Sequence, residues 1–333
     1  MAFRTFLART LLAASAALAA SVVAWPQAQA DTPPESKAVR LAITVPSTTY
    51  LPIYVAEKEG FFKQEGLDVT VTNFRGGSDL TRAIVAGSID VGCGAPDSVI
   101  AAIQAGQDIK VFYGGFTQTP FEWYAEKSAK TLADLKGKPI GITRFGSSTD
   151  ALTRMVLTKA GLNPKTDVRI TQGGGSSERL AALDAGQIAA GPFEPPFSFI
   201  AAERGYNLVA KMSDLMPDYP MQSFFAANAY IKSHPETLKR LLKAFVLAVR
   251  FSKQHKDEAT QILVAATKID PAYGARTYDA VIGGFREDGL LASDSGLKAF
   301  MALGVSSGAF QKAWPLDAYW VNDFRATYPQ WKP

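Results

Sequence analysis

The sequence predicts an α/β protein of two lobes, each a mostly parallel sheet flanked by helices, with two hinge strands between them. Three observations carry this expectation. The chain contains itself twice, strands alternate with helices through both copies, and the side chains that catalysis needs are scarce. The repeat shows as four matches in order: "LAIT" (41–44) with "IGIT" (140–143), "DVTVTN" (68–73) with "DVRITQ" (167–172), "GGSDLTRAIVAGSIDVG" (76–92) with "GGSSERLAALDAGQIAAG" (174–191), and "AGQDIKVF" (105–112) with "RGYNLVAK" (204–211). Gly87 falls on Gly186 and Gly106 on Gly205, both 99 residues further on. Matches in one order at one offset mark two units of one architecture.

Within each copy a short apolar strand leads through a polar turn into a helix. A second strand leads through a Gly-rich turn into "DLTRAIVAG" or "SERLAALDAG". A third strand precedes a helix that ends at Gly106 or Gly205, where a C′ glycine relieves the left-handed turn. A fourth strand closes the copy. Strands alternating with helices build a parallel sheet covered on both faces. Two aromatic, β-rich segments, 112–127 and 218–231, are expected to cross between the lobes as paired hinge strands. Helices follow in "HPETLKRLLKAFVLAVRFSKQH", "KDEATQILVAATK" and "PAYGARTYDAVIGGF", with no third copy, and are expected to pack back on the first lobe and the hinge. The domain reading is 39–117 with 226–333 for the first lobe, and 118–225 for the second.

The 333 residues suffice for two cores; 47% are apolar and 20% charged, an ordinary globular balance. A net charge of +4 without a basic stripe points away from nucleic acid. The first 30 residues read as an export signal: Arg4 and Arg9, an apolar run from Leu11 to Ala24, and Ala28-Gln29-Ala30 before a cut after Ala30. The run is short for a membrane span, so the expectation is a soluble periplasmic protein. Arg4 and Arg9 are the only charges removed, which leaves +2. The single cysteine, Cys93, has no partner for an internal disulfide and reads as a small buried residue.

Apparent catalytic motifs fail on context. "GVSSG" (304–308) fits G-x-S-x-G, but the two histidines, His234 and His255, precede it, whereas that fold needs the His after the nucleophile. "SGLK" (295–298) has no K-T-G after it. "GGGSSE" and "GCGAPD" complete neither a dinucleotide nor a P-loop fingerprint. No Cys/His cluster suggests zinc. No catalytic residue, metal or cofactor is expected.

A two-lobed exported protein of this kind suggests a clamshell binder that closes on its ligand about a hinge. Ligands of such sheets sit beyond the carboxyl ends of the strands. The repeat then selects four loops: "PSTTYLP" (46–52), "GAPDS" (94–98), "FGSSTD" (145–150) and "FEPPFS" (193–198), with the turns "RGGSD" and "GGGSS" second. Thr48-Thr49 and Ser147-Ser148-Thr149 occupy equivalent turns, so two helix N-termini would face one anion, each with free N–H groups and about half a positive charge. The plainer role for these hydroxyls is capping. Arg75 and Arg144 could add charge. Tyr50, Phe116, Trp123, Phe145, Phe193 and Phe197 could wall the cleft, or pack in the core. Asp97 and Glu194 sit in the third-strand loops, where each could take an amine or ring N–H or cap a helix.

"YLPIYVAEKEGFFKQEGLDV", "GGSDLTRAIVAGSIDVG", "IGITRFGSSTD" and "HPETLKRLLKAFVLAV", in that order, resemble the periplasmic substrate-binding proteins of ABC importers in the nitrate/sulfonate/taurine group, which includes binders of thiamine-pyrimidine precursors. The resemblance runs from about Val39 to the end. It implies a periplasmic binding protein (clamshell) fold, a small-molecule ligand between the lobes, and delivery by a monomer to a membrane permease. By position it assigns Ser47, Thr48, Thr49, Tyr50, Asp97, Ser98, Ser147, Ser148, Thr149 and Glu194 to the site; Phe116 and Phe145 complete the expected lining. The implied ligand is a small organic anion of sulfonate, taurine or aromatic carboxylate type. The alternatives are a pyrimidine or other heterocycle as ligand, an enzyme of pyrimidine-precursor synthesis, and a sensory input protein that binds in the same way but docks a receptor. Where sulfonate binders often carry a Trp, this chain has "GPFEPPFS".

Overall fold

The computed structural model describes residues 32–333. The expected export segment, 1–30, and its cut after Ala30 lie outside the described residues. Ten strands run through the described chain: β1 Ala38–Ile43, β2 Asp68–Asn73, β3 Val91–Gly94, β4 Ile109–Phe116, β5 Glu122–Ala125, β6 Pro139–Ile142, β7 Arg169–Gln172, β8 Ala190–Phe193, β9 Asn207–Lys211 and β10 Gln222–Ala227. They form two five-stranded sheets, in the orders β2-β1-β3-β10-β4 and β7-β6-β8-β5-β9. The two orders are the same once β1–β4 are matched with β6–β9, so the repeat in the sequence is a repeat of sheets.

The fifth strand of each sheet comes from a crossing segment. β10 runs antiparallel between β3 and β4, and β5 runs antiparallel between β8 and β9. β1 is parallel to β2 and β3, as β6 is to β7 and β8. The sheets are therefore mixed, each with one reversed strand. The two crossings touch: Tyr219 N–H donates to Thr117 O at 3.1 Å and Met221 N–H to Phe116 O at 3.0 Å. The expected boundary at 225/226 cuts through β10, because Gln222–Phe225 already pair in the first sheet.

Packing explains why these segments hold. Val91–Gly94 is buried throughout, as a strand covered on both faces must be. Gly92 leaves room that a Cβ would fill at 2.5 Å from both Leu80 and Phe225. The Pro235–Gln254 helix starts with Pro at its first turn and buries Leu238, Leu241, Leu242, Phe245 and Val249, a 3–4 spacing that makes one apolar stripe. Each such side chain contributes about 1.5–3 kcal/mol. The C-terminal part returns to the first sheet: Val111 exchanges bonds with Tyr319 O and Val321 N–H, at 2.7 and 2.8 Å. Among the described residues no helix is long and apolar enough to cross a membrane.

Candidate functional site

The carboxyl ends of β1, β3, β6 and β8 run into the four loops selected by the repeat, and these surround a cavity of about 50 Å³. That is room for a few water molecules. Ser47, Tyr50, Ser98, Ser147, Ser148, Thr149 and Glu194 line it. Thr48, Thr49 and Asp97 are buried and do not line it. Of the six candidate aromatics only Tyr50 lines it; Trp123 and Phe193 are buried in core clusters and Phe197 packs on the second of these. Phe116 packs in the core on Phe285, ring centroids 4.9 Å apart, and Phe145 is 49% exposed in the turn before Gly146. The wall also uses residues that had not been singled out, Thr143, Phe121, Met221 and Gln222, along with Gly76 and Gly77 from a second-rank turn.

The two lobes build the wall in the same way. In the first, Ser47 Oγ lies 2.8 Å from Thr49 Oγ1; in the second, Ser147 Oγ lies 3.0 Å from Thr149 Oγ1. The roles then diverge. Ser47 caps its turn by accepting from Thr49 N–H, whereas Ser147 makes no side-chain cap and donates to Arg144 O at 2.7 Å. The Gly77–Val85 and Ser148–Lys159 helices both begin at the cavity. The first N–H groups of any helix have no partner within it. Gly77 permits this approach, since a Cβ there would lie 2.7 Å from Ser98 Oγ.

A hydrogen-bond chain crosses from lobe to lobe. Gln222 Nε2 donates to Thr49 Oγ1 at 2.6 Å, Thr49 pairs with Ser47, and Ser47 Oγ donates to Glu194 Oε2 at 2.7 Å. A second link, Arg144 Nε to Asp79 Oδ2 at 2.8 Å, joins the lobes at the rim. Arg276 lies over the Phe199 ring, 3.8 Å from its centroid, on another flank. The described conformation is therefore closed.

Charge is concentrated in three buried groups. Burial pushes the Glu194 carboxyl up to about 7, against the opposing pull of the Ser47 bond and the Arg179 charge. Burial likewise raises Asp97 to about 7, and the Tyr219 hydroxyl that donates to it works the other way. Arg179 is lowered to about 10 by burial and stays charged at neutral pH. Its Nε and Nη2 donate to Pro192 O at 3.0 and 2.7 Å, and Nη1 to Thr143 Oγ1 at 2.9 Å.

A raised carboxylate binds its proton more tightly folded than unfolded. Its stabilising contribution is complete below the unfolded value, near 4, and is lost as pH rises through about 7. The melting temperature should therefore fall between pH 5 and pH 8, with each carboxyl contributing at most on the order of 3 kcal/mol. The double variant Asp97→Asn/Glu194→Gln should flatten that fall; a profile as steep as the unmodified protein's would refute the assignment.

The NMT1/THI5-like family profile matches residues 47–259, which include every lining residue of the cavity except Thr44 and Val45. The chain belongs to the NMT1/THI5-like family. Three similar proteins show the range of names around this member of it. YtlA of Bacillus subtilis (strain 168), named a candidate binding protein, is 27% identical over 226 residues, 65% of this chain and 66% of its own. The alkanesulfonate-binding protein SsuA of Xanthomonas axonopodis pv. citri, solved with MOPS, has a TM-score of 0.71 at 21% identity, covering 86% of this chain and 99% of that one. A 4-amino-5-hydroxymethyl-2-methylpyrimidine phosphate synthase of Uromyces fabae is 38% identical over 111 residues, 32% of each chain. The two sheets, their order and this likeness establish the periplasmic binding protein fold.

Proposed function

We propose that this NMT1/THI5-like protein is an exported, monomeric solute receptor that hands its ligand to the permease of an ABC importer. The ligand is a small organic anion that also carries an amino group, of the aminosulfonate type. One observation carries the choice: Glu194, a carboxyl only 6% exposed, stands in the wall of a cavity on which two helix N-termini converge. Helix N-termini offer N–H donors and positive potential to an anionic group. A buried carboxyl offers the reverse, a site for a cationic N–H donor. A purely anionic ligand would leave Glu194 facing like charge; an amine ionises it and pairs with it. Among the described residues the cavity wall holds no His, Cys or Lys, which speaks for binding over catalysis. The roughly 50 Å³ of the closed form requires the lobes to part, breaking Ser47–Glu194 and Arg144–Asp79, before a ligand enters.

A second reading keeps the site and replaces the ligand with an aminopyrimidine. It is favoured by the same Glu194, which near pH 7 is poised to meet a ring nitrogen or an exocyclic amine. Thermal melting against a panel separates the two. Taurine, ethanesulfonate, benzoate, nitrate and 4-amino-5-hydroxymethyl-2-methylpyrimidine are each added at high excess. A ligand at a hundred times its Kd adds about 2.7 kcal/mol, a rise of several degrees. Taurine should raise the transition and ethanesulfonate should do so far less. A rise with the pyrimidine alone would establish the second reading instead.

A further inference from the structure

We infer that Gln222 is a second reader of the ligand's amino group, so that the site selects amines with at least two N–H donors. The inference rests on the amino-bearing ligand class proposed above and adds a residue and a rule to it. It comes from counting which hydrogen-bonding groups of the wall are already used. Ser98 Oγ donates to Ala95 O at 2.9 Å, Ser147 Oγ to Arg144 O at 2.7 Å, and Ser47 Oγ to Glu194 at 2.7 Å. Tyr50 and Thr44 share their hydroxyls at 2.7 Å, and Thr143 Oγ1 accepts from Arg179. Most side-chain hydroxyls of the wall are thus committed to the protein itself, with Ser148 the lining serine that makes no such bond.

One buried acceptor of the wall is also left over. Gln222 lines the cavity and is 4% exposed. Its Nε2 is held by Thr49 Oγ1 at 2.6 Å, which fixes the plane of the amide, and its Oε1 is buried with no partner. A buried acceptor left unpaired is costly, and a ligand that satisfies it recovers that cost. Glu194 and Gln222 stand at the two ends of one hydrogen-bond chain through Ser47 and Thr49, so both belong to one recognition unit. Two acceptors on the wall ask the ligand for two N–H donors, one to the carboxylate and one to the amide oxygen.

The test is a methylation ladder read by titration calorimetry: taurine, then its N-methyl, N,N-dimethyl and N,N,N-trimethyl derivatives. The ladder keeps the positive charge while the donors fall from three to none. The step from two donors to one should weaken binding to the unmodified protein about tenfold or more. Gln222→Met keeps the side-chain volume and removes the acceptor. It should bind taurine about tenfold more weakly and lose that step, while any penalty from bulk stays. The inference is overturned if Gln222→Met keeps the step, or if the unmodified protein shows none; the second comparison stands even where the variant does not fold. If taurine gives no heat and the aminopyrimidine does, the aminosulfonate class fails by itself. The same ladder on the exocyclic amine, NH2 to N(CH3)2, then decides Gln222. Ethanesulfonate binding as tightly as taurine overturns both.

Discussion

Arg179→Leu is expected to lower the stability of the protein by about 3–5 kcal/mol, the cost of breaking a buried, fully bonded charge site. Arg179 is 1% exposed. Its guanidinium holds the end of β8 at Pro192, the start of the second-lobe turn at Thr143, and the Gly-rich turn at Gly174 and Ser176. Leucine would fill part of the slot and leave two carbonyls and two hydroxyls without their donor. Thermal unfolding should show a loss on the order of ten degrees. Arg179→Lys should fall in between, since one ammonium cannot span the same fork. A loss below about 1 kcal/mol, within the range of ordinary surface changes, would mean that the guanidinium is not what joins these turns.

Glu194→Gln is the change with the largest expected effect on binding. The amine of the ligand loses its counter-charge in a dry site, which costs about 2–5 kcal/mol, or roughly thirtyfold to several thousandfold in Kd. Stability should move the other way above pH 7, because the buried carboxylate that resists ionisation is gone. Ser47 keeps an acceptor in the new amide. Calorimetry with taurine at pH 8, together with a melting curve at the same pH, reads both signs at once. Unchanged taurine affinity would reduce Glu194 to a piece of wall and remove the ground for an amino-bearing ligand.

The architecture was legible because the repeat is carried by residues that fix backbone geometry. The turn glycines Gly87, Gly106, Gly186 and Gly205 all sit at positive φ, where only glycine is at ease. The paired hydroxyls were legible for the same reason, since Ser47/Thr49 and Ser147/Thr149 are copies. Gln222 was not, because it belongs to a crossing strand outside the repeat and sits in an aromatic stretch that reads as sheet. Arg179 was not singled out, because a lone arginine on a helix carries no local sign of burial. It packs against Gly141, Gly173 and Gly191, most tightly at Gly173, where an added Cβ would come within 3.1 Å of its side chain. Such a slot is made by three separate turns and strands and has no local signature. Phe116 was placed in the cleft because its covering residue, Phe285, lies in the C-terminal part, whose docking no periodicity reveals.

The two reversed strands give the lobes unequal histories during synthesis. The second sheet needs only the continuous stretch from Glu122 to Lys211, and every pairing in it is available once that stretch has emerged. The first sheet has a gap between β3 and β4 that only β10 fills, so its β4 edge waits for residues made more than a hundred positions later. The lobe that is written first is therefore finished last. Until Gln222–Ala227 arrives, the aromatic β4 has no seat, and the hinge that closes the clamshell does not yet exist.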